Sequence, residues 1–390
     1  MFITARHYLD SRWFELTIQG QRIAEARPVE GPVAIHPGDD WVAPAFWDIQ
    51  TNGRWGHSFS SPDLGMDQVA EIVRAQACLG TARLCPTLIT APVEHMIHGL
   101  KTIAAACAAF PDIAARVAGI HLEGPFLSER DGYRGAHPID AIRDPNWELF
   151  QELQAASGQR IVLITLAPER PGGIAFIRQA VASGIVVALG HTAADGATIR
   201  SAVEAGARLS THLGNGIASE LARHPNPIWE QAAIDELSAS FIADGHHLDL
   251  ATLRVLARAN GPTRTILVGD ASPLAGLPVG PYGDWAVDPS GKIVVAGTPY
   301  LAGSNQGLEI GVRNLLGATH WSLSEALAAV TTNPARLLGH PEPRIAAGER
   351  ANLVVFRRPQ ENEFVLERCC VDGAWAECAA EDVDFAGVSR

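Results

Sequence analysis

Residues 117–126 read VAGIHLEGPF, and this stretch decides the fold. Val117 to Glu123 is a largely apolar run of strand length, yet it carries His121 and Glu123 at alternate positions and is cut off by Gly124 and Pro125. An acidic side chain inside an apolar strand is tolerated only when something pairs with it. Enzymes built on parallel strands place their chemistry where strands end, so Glu123 and its neighbours form a candidate site.

Seven similar runs flank it, at Ala43 to Gln50, Leu84 to Thr90, Ile161 to Ala167, Ile185 to His191, Arg208 to His212, Ala239 to Asp244 and Thr265 to Asp270. Amphipathic segments at helical period alternate with them: Met66 to Leu79, Val93 to Phe110, Trp147 to Ala156, Ile174 to Ala182, Ala197 to Ala205 and Leu250 to Asn260, with a last one at Leu308 to Leu316. Gly80, Gly184, Gly206 and Gly261 stand where helix C-caps are expected. Alternation of this kind predicts βα units around a parallel sheet. Eight units in roughly 300 residues predict an α/β protein with a (β/α)8 TIM barrel. An open doubly wound sheet is weakened because no GxGxxG opens the first helix and polar strand ends recur along the whole chain. Short β-like pieces such as RWFELTI and ANLVVF predict a small β-sandwich domain joining residues 1–42 and 343–390, around a barrel at 43–342.

The 390 residues are 47% hydrophobic and 19% charged, enough apolar surface for a real core and too much for a disordered chain. A net charge of -13 argues against general affinity for nucleic acid or anionic membranes, so an anionic substrate must meet a local cationic site. The N-terminal MFITARHYLDSRWFEL lacks a signal-peptide pattern, and runs such as GIVVALG are too short to span a bilayer. Six cysteines, at 78, 85, 107, 369, 370 and 378, form no CxxC pair and need not staple a chain of this size, which makes a reducing cytoplasm the default expectation.

The other strand ends repeat the pattern of the third. The fifth ends at His191, the sixth at His212, the seventh at Asp244 and His247, the eighth at Asp270, and the first offers Gln50 and Asn52. Glu123, His191 and His212 suit a divalent metal with one coordination position open to water. Such a metal activates water near neutral pH and polarises a carbonyl, while a carboxylate such as Asp270 moves the proton; metal-assisted amide hydrolysis follows. Seven of the 14 histidines are read without such a role: His7, His36, His95, His98, His320 and His340 as structural or surface residues, and His57, with Asp63, as solvated. Of His246 and His247, only one can share the strand's inward direction.

These residues lie in motifs that together resemble the N-acetylglucosamine-6-phosphate deacetylases of the amidohydrolase superfamily: DIQTNG (48–53), HLEGPF (121–126), RGAHP (134–138), GHTAA (190–194), THLGN (211–215), ADGHHLD (243–249), VGDA (268–271), LAGS (301–304) and TNPAR (332–336). The resemblance implies removal of an N-acetyl group from an amino-sugar phosphate, with Glu123, His191 and His212 on the metal and Asp270 as general base and then acid. It implies His137 as a catalytic partner on the acetamide carbonyl, with Ala136 and Gln50 facing the substrate. Asn215, the Gly216 backbone, His247 and Arg223, the last supplied across a homodimer interface, would hold the sugar phosphate. Many amidohydrolases begin with an HxH pair; Gln50 and Asn52 occupy the matching positions, and ITLAPE (164–169) offers no lysine to bridge two metals. One metal is expected, zinc preferred and iron the alternative. Leu213-Gly214-Asn215-Gly216-Ile217 lacks the family's usual aromatic, which predicts a smaller, looser loop; Gly269 precedes Asp270 where a side chain is common, and Arg54 and Trp55 replace small residues. Two alternatives are amide hydrolysis on another N-acyl amino sugar or amino acid and, from another class, a non-catalytic sugar-phosphate sensor.

Overall fold

The computed structural model describes residues 1–298 and 300–376, and every one of the eight expected runs contributes a parallel strand to one sheet. The strands are Phe46–Thr51, Thr81–Ile89, Ile120–Glu123, Ile161–Leu166, Val186–Leu189, Leu209–Ser210, Ser238–Phe241 and Thr265–Leu267, each paired with the next in chain order. The ring closes beyond the last strand, where the Asp270 N–H donates to the Gln50 carbonyl (2.9 Å) and the Asn52 N–H to the Ala271 carbonyl (2.9 Å). Side chains alternate as strand geometry demands. Ile49, Cys85, Leu163, Ala188, Leu209, Ile242, Ile266 and Val268 fill the barrel interior, while Ile120, Leu122, Ile164 and Val187 pack outward against helices.

Trp147–Ala156 and Leu250–Asn260 are helices as expected, and the other readings hold with shifts of a residue or two. The segment from Met66 is an exception: its α-helix stops at Ala75, a 3-10 turn covers Gln76–Leu79, and Gly80 ends it at φ 83°. Four six-residue helices, Pro111–Arg116, Pro227–Ala232, Leu323–Ala328 and Thr332–Leu337, were not foreseen, because two turns are too short to display an apolar stripe. Nor was an antiparallel sheet of Gly280–Tyr282, Trp285–Val287 and Ile293–Val295, inserted after the eighth barrel strand.

The chain ends meet in one seven-stranded sheet, ordered Ala374–Trp375, Val365–Val371, Leu353–Arg357, Asp40–Pro44, Phe2–His7, Trp13–Gln19 and Arg22–Pro28. Its two faces are both covered: Leu353 and Val355 pack with Ile3, Leu16 and Val42, whereas Val354 and Phe356 face Trp41, Phe46 and helices of the barrel. Residues 377–390, the last part of the expected β domain and the site of Cys378, lie outside the described residues. Cys85, Cys107, Cys369 and Cys370 are buried free thiols, whereas Cys78 is disulfide-bonded, although a chain of this size needs no such staple. Among the described residues no helix is long and apolar enough to cross a membrane.

Candidate active site

The C-terminal ends of the barrel strands surround a cavity of about 250 Å³. Glu123, His137, His191, His212, His247 and Asp270 line it, with Ala136, Asn215 and Gly216. Gln50 lies just beneath, and Arg223 is exposed on a loop outside the lining. Of the adjacent histidines, His247 reaches the cavity and His246 does not.

Three residues, His191 (φ 50°), His212 (φ 31°) and Asp270 (φ 45°), adopt left-handed backbone conformations at their strand ends. Each non-glycine residue held there costs about 1–3 kcal/mol, a cost that surrounding structure sustains mostly where side chains must be aimed.

Glu123, His191 and His212 each offer a ligand atom, all within 4.8 Å of one another. The Glu123 Oε1 lies 3.0 Å from His212 Nε2 and 3.4 Å from His191 Nε2. On His191, Nδ1–H donates to the Tyr133 carbonyl (3.0 Å). A neutral His191 therefore turns the lone pair of Nε2 toward a carboxylate oxygen. Two lone pairs facing each other in a buried site need a cation between them, and the donor set of one carboxylate and two imidazoles fits a divalent metal. Without metal, protons stand in. Burial by itself would raise Glu123 and lower His212; instead hydrogen bonds and charge between them hold Glu123 well below the ordinary carboxylate range and raise His212.

Asp270 sits beside this triad. Burial and then the Glu123 charge push its carboxyl up to about 6. Its Oδ1 accepts the Asn52 amide (2.8 Å) and the Gln50 amide (3.0 Å), and Gln50 donates from the same Nε2 to Glu123 Oε1 (3.0 Å). Uncharged amides thus bridge the two carboxylates at the positions where other amidohydrolases were expected to carry histidines. Behind them Asp48 accepts from the N–H of Gln50 (3.1 Å) and of Gly269 (3.2 Å) and from the Thr51 hydroxyl (3.2 Å). This clasp explains Gly269: a Cβ there would stand 2.5 Å from the Asp48 carboxylate.

Two further histidines are oriented from outside. His247 Nδ1 donates to Asp244 (2.8 Å), whose carboxylate also accepts the Ser304 hydroxyl (2.8 Å) and the N–H groups of His246 and His247. That leaves the other ring nitrogen of His247 free for the cavity. Burial, reinforced by His191, lowers His137 to about 3, so it stands neutral over the triad, its ring 4.4 Å from that of His191. The Asn215 Nδ2 is buried with no partner among the described residues, a donor waiting for an acceptor. The expected looseness of its loop is not found. Gly216 (φ 59°) packs so closely that a Cβ would meet His191 Nδ1 at 2.7 Å, and Gly214 abuts Leu248.

His121 is not a ligand. Its Nδ1–H donates to the Ile49 carbonyl (3.1 Å) and Nε2 accepts from the Thr165 hydroxyl (2.8 Å), so it fills the barrel below the metal group. Two kinds of residue escaped the reading of the sequence. Asp48 carried the same signal as Glu123, an acid inside an apolar strand. Trp285 and Tyr300, on the cavity wall, lie within and just after Gly- and Pro-punctuated β-alternation at 280–295 that marks an insertion rather than a barrel strand.

The pattern of the amidohydrolase family matches residues 41–376. The chain is 38% identical over 311 residues to the N-acetylglucosamine-6-phosphate deacetylase of Bos taurus, covering 76% of this chain and 74% of that one. It is 30% identical over 360 residues to the N-acetylgalactosamine-6-phosphate deacetylase of Escherichia coli O157:H7, covering 91% and 93%. Its fold is similar to that of a Mycobacterium smegmatis N-acetyl-D-glucosamine-6-phosphate deacetylase variant solved in complex with N-acetyl-D-glucosamine-6-phosphate, with a TM-score of 0.84, 30% identity and coverage of 96% and 99%.

Proposed function

The chain belongs to the amidohydrolase family, and from that premise we propose that it hydrolyses the acetamide of N-acetylglucosamine 6-phosphate, or a close amino-sugar phosphate, to acetate and the amino sugar phosphate. The observation that carries this reading is the convergence of Glu123, His191 and His212 beside Asp270 on one cavity. A divalent metal bound by the three supplies an activated water and a Lewis acid; we read a single ion because Gln50 and Asn52 stand where a histidine pair would hold a second, and take it as zinc, with iron the alternative.

The remaining work falls to the chain's own side chains. Asp270 holds its Oδ1 on the two amides, so its other oxygen takes the proton of the attacking water and returns it to the departing nitrogen. Neutral His137 donates a hydrogen bond to the oxygen that gains charge in the transition state. Ala136 and Gln50 bound the acetamide end. Asn215 Nδ2 and the Gly216 N–H suit phosphate oxygens, and His247, fixed by Asp244, adds a directed nitrogen. Arg223 is exposed and outside the lining of its own cavity, which supports its delivery from a second copy in a homodimer. Charged phosphosugars and four free thiols favour the cytoplasm; the disulfide at Cys78 stands against a fully reducing setting.

The test is acetate release from N-acetylglucosamine 6-phosphate, from its galacto epimer and from unphosphorylated N-acetylglucosamine, with metal content measured and a chelated control. Chelator-sensitive turnover confined to phosphorylated sugars is expected. Equal rates on the unphosphorylated sugar would overturn the phosphate assignment, and full activity after metal removal would overturn the mechanism.

A further inference from the structure

A second cavity, of about 190 Å³, lies at the opposite end of the barrel, where the first two strands begin and the terminal sheet meets them. It shares no lining residue with the active-site cavity. Trp47 and Arg83 are register partners on the two strands, and the Arg83 guanidinium carbon sits 5.5 Å from the Trp47 ring centre. His340 packs on Trp47 with ring centres 5.0 Å apart, and Arg22, Arg350 and Asn352 close the sides.

The charges there do not cancel. Each nearby carboxylate is already engaged by another arginine: Glu342 by Arg336 (2.7 Å), Glu349 by Arg344 (2.8 Å) and Asp372 by Arg350. Arg22 gives one Nη to the Gly348 carbonyl (2.6 Å). Arg83 is left half-buried, with no carboxylate within ion-pair distance among the described residues. Burial, and after it the charge of Arg350, lowers its pKa, the mark of a guanidinium short of compensating negative charge. A guanidinium stays charged in such a place, so an uncompensated one is costly and an anion arriving there relieves the cost.

We propose that this cavity binds a phosphoryl group, with Arg83 as its central ligand, Arg22 and Arg350 at its sides and Asn352 as a further donor. Donors approaching from separate strands and loops suit a tetrahedral dianion better than a planar carboxylate, which one guanidinium fork satisfies. Trp47 and His340, their rings inclined at 56°, form an aromatic corner for whatever the phosphate carries. The phosphoryl group is that of a phosphorylated metabolite or free inorganic phosphate.

Titration calorimetry of the metal-loaded full chain with inorganic phosphate and with AMP tests this, on wild type, Arg83→Gln and Arg83→Lys. Wild type is expected to bind inorganic phosphate, with part of that binding dependent on Arg83. Arg83→Gln weakens that site about tenfold or more, and Arg83→Lys, which keeps the charge without the fork, weakens it less. Both variants are expected to fold with the wild-type circular-dichroism spectrum, so that weakened binding reports on the site and not on unfolding. Tighter binding of AMP assigns the site to phosphorylated metabolites; equal or weaker binding assigns it to free phosphate. Arg83→Gln protein that titrates like wild type, or wild type that binds neither phosphate nor AMP, overturns the proposal.

Discussion

Asp270 is buried against another carboxylate, and two neutral amides hold one of its oxygens in place. Replacing it by Asn keeps the size and the metal triad but removes the base; metal content should stay at the wild-type level while kcat falls by about two to four orders of magnitude. A near-normal rate in that variant would remove Asp270 from the mechanism. The base is useful only when ionised, and its raised pKa means it is lost as pH falls through about 6. Activity should therefore decline on the acid side with unit slope, at a pH below that value once a metal cation sits nearby, as a pH–rate profile with metal saturating will show. The neighbouring Gly269 is a prediction in its own right. Asp48 is pinned by three hydrogen bonds and cannot retreat from an added Cβ, so Gly269→Ala should lower stability by about 1–3 kcal/mol, measured by denaturant unfolding, and lower kcat with it. Glu123, His191, His212 and Asp270 were legible in the sequence because polar residues that end apolar runs are conspicuous. Asp48 was passed over because its partner, a backbone N–H 221 positions away, is adjacent only after the ring closes.

At the level of elements, the strands were the best-read feature because their faces are fixed by alternation: Ile120 and Leu122 outward, His121 and Glu123 inward. Interior packing such as that of Leu163 holds the strand ends in register, and truncating a buried leucine to alanine typically costs about 2–5 kcal/mol. The antiparallel insertion was the least legible element, although it brings Trp285 to the cavity wall. Trp285 is half-buried and contributes to a small satellite cluster rather than to the barrel core. Trp285→Ala should accordingly raise KM for the sugar substrate with little change in melting temperature, whereas an unaltered KM would show that the insertion does not touch substrate. The glycine-rich loop at 214–216 shows why composition misled: small residues suggested slack, but here they allow the backbone to close on His191.

For the whole molecule, the placement of Arg223 has the widest consequence: among the described residues no lysine or arginine lines the active-site cavity, and the proposed reading is that a second copy supplies one. Mixing Arg223→Ala subunits with Asp270→Asn subunits should restore activity neither has alone, to about a quarter of the wild-type value when exchange is random, because half the dimers are hybrids with one intact site each. Absence of any restored activity after verified subunit exchange would place Arg223 outside the neighbour's site. The eightfold βα alternation and the inward-facing strand-end residues are written in the residue order, because hydrophobic period and polar interruption are local properties that survive in one dimension. Only the tertiary structure decided the Asp48 clasp, the tight loop on His191, the insertion on the cavity wall and the uncompensated Arg83 at the far end. Each of these depends on distances between residues far apart in the chain, which periodicity does not encode.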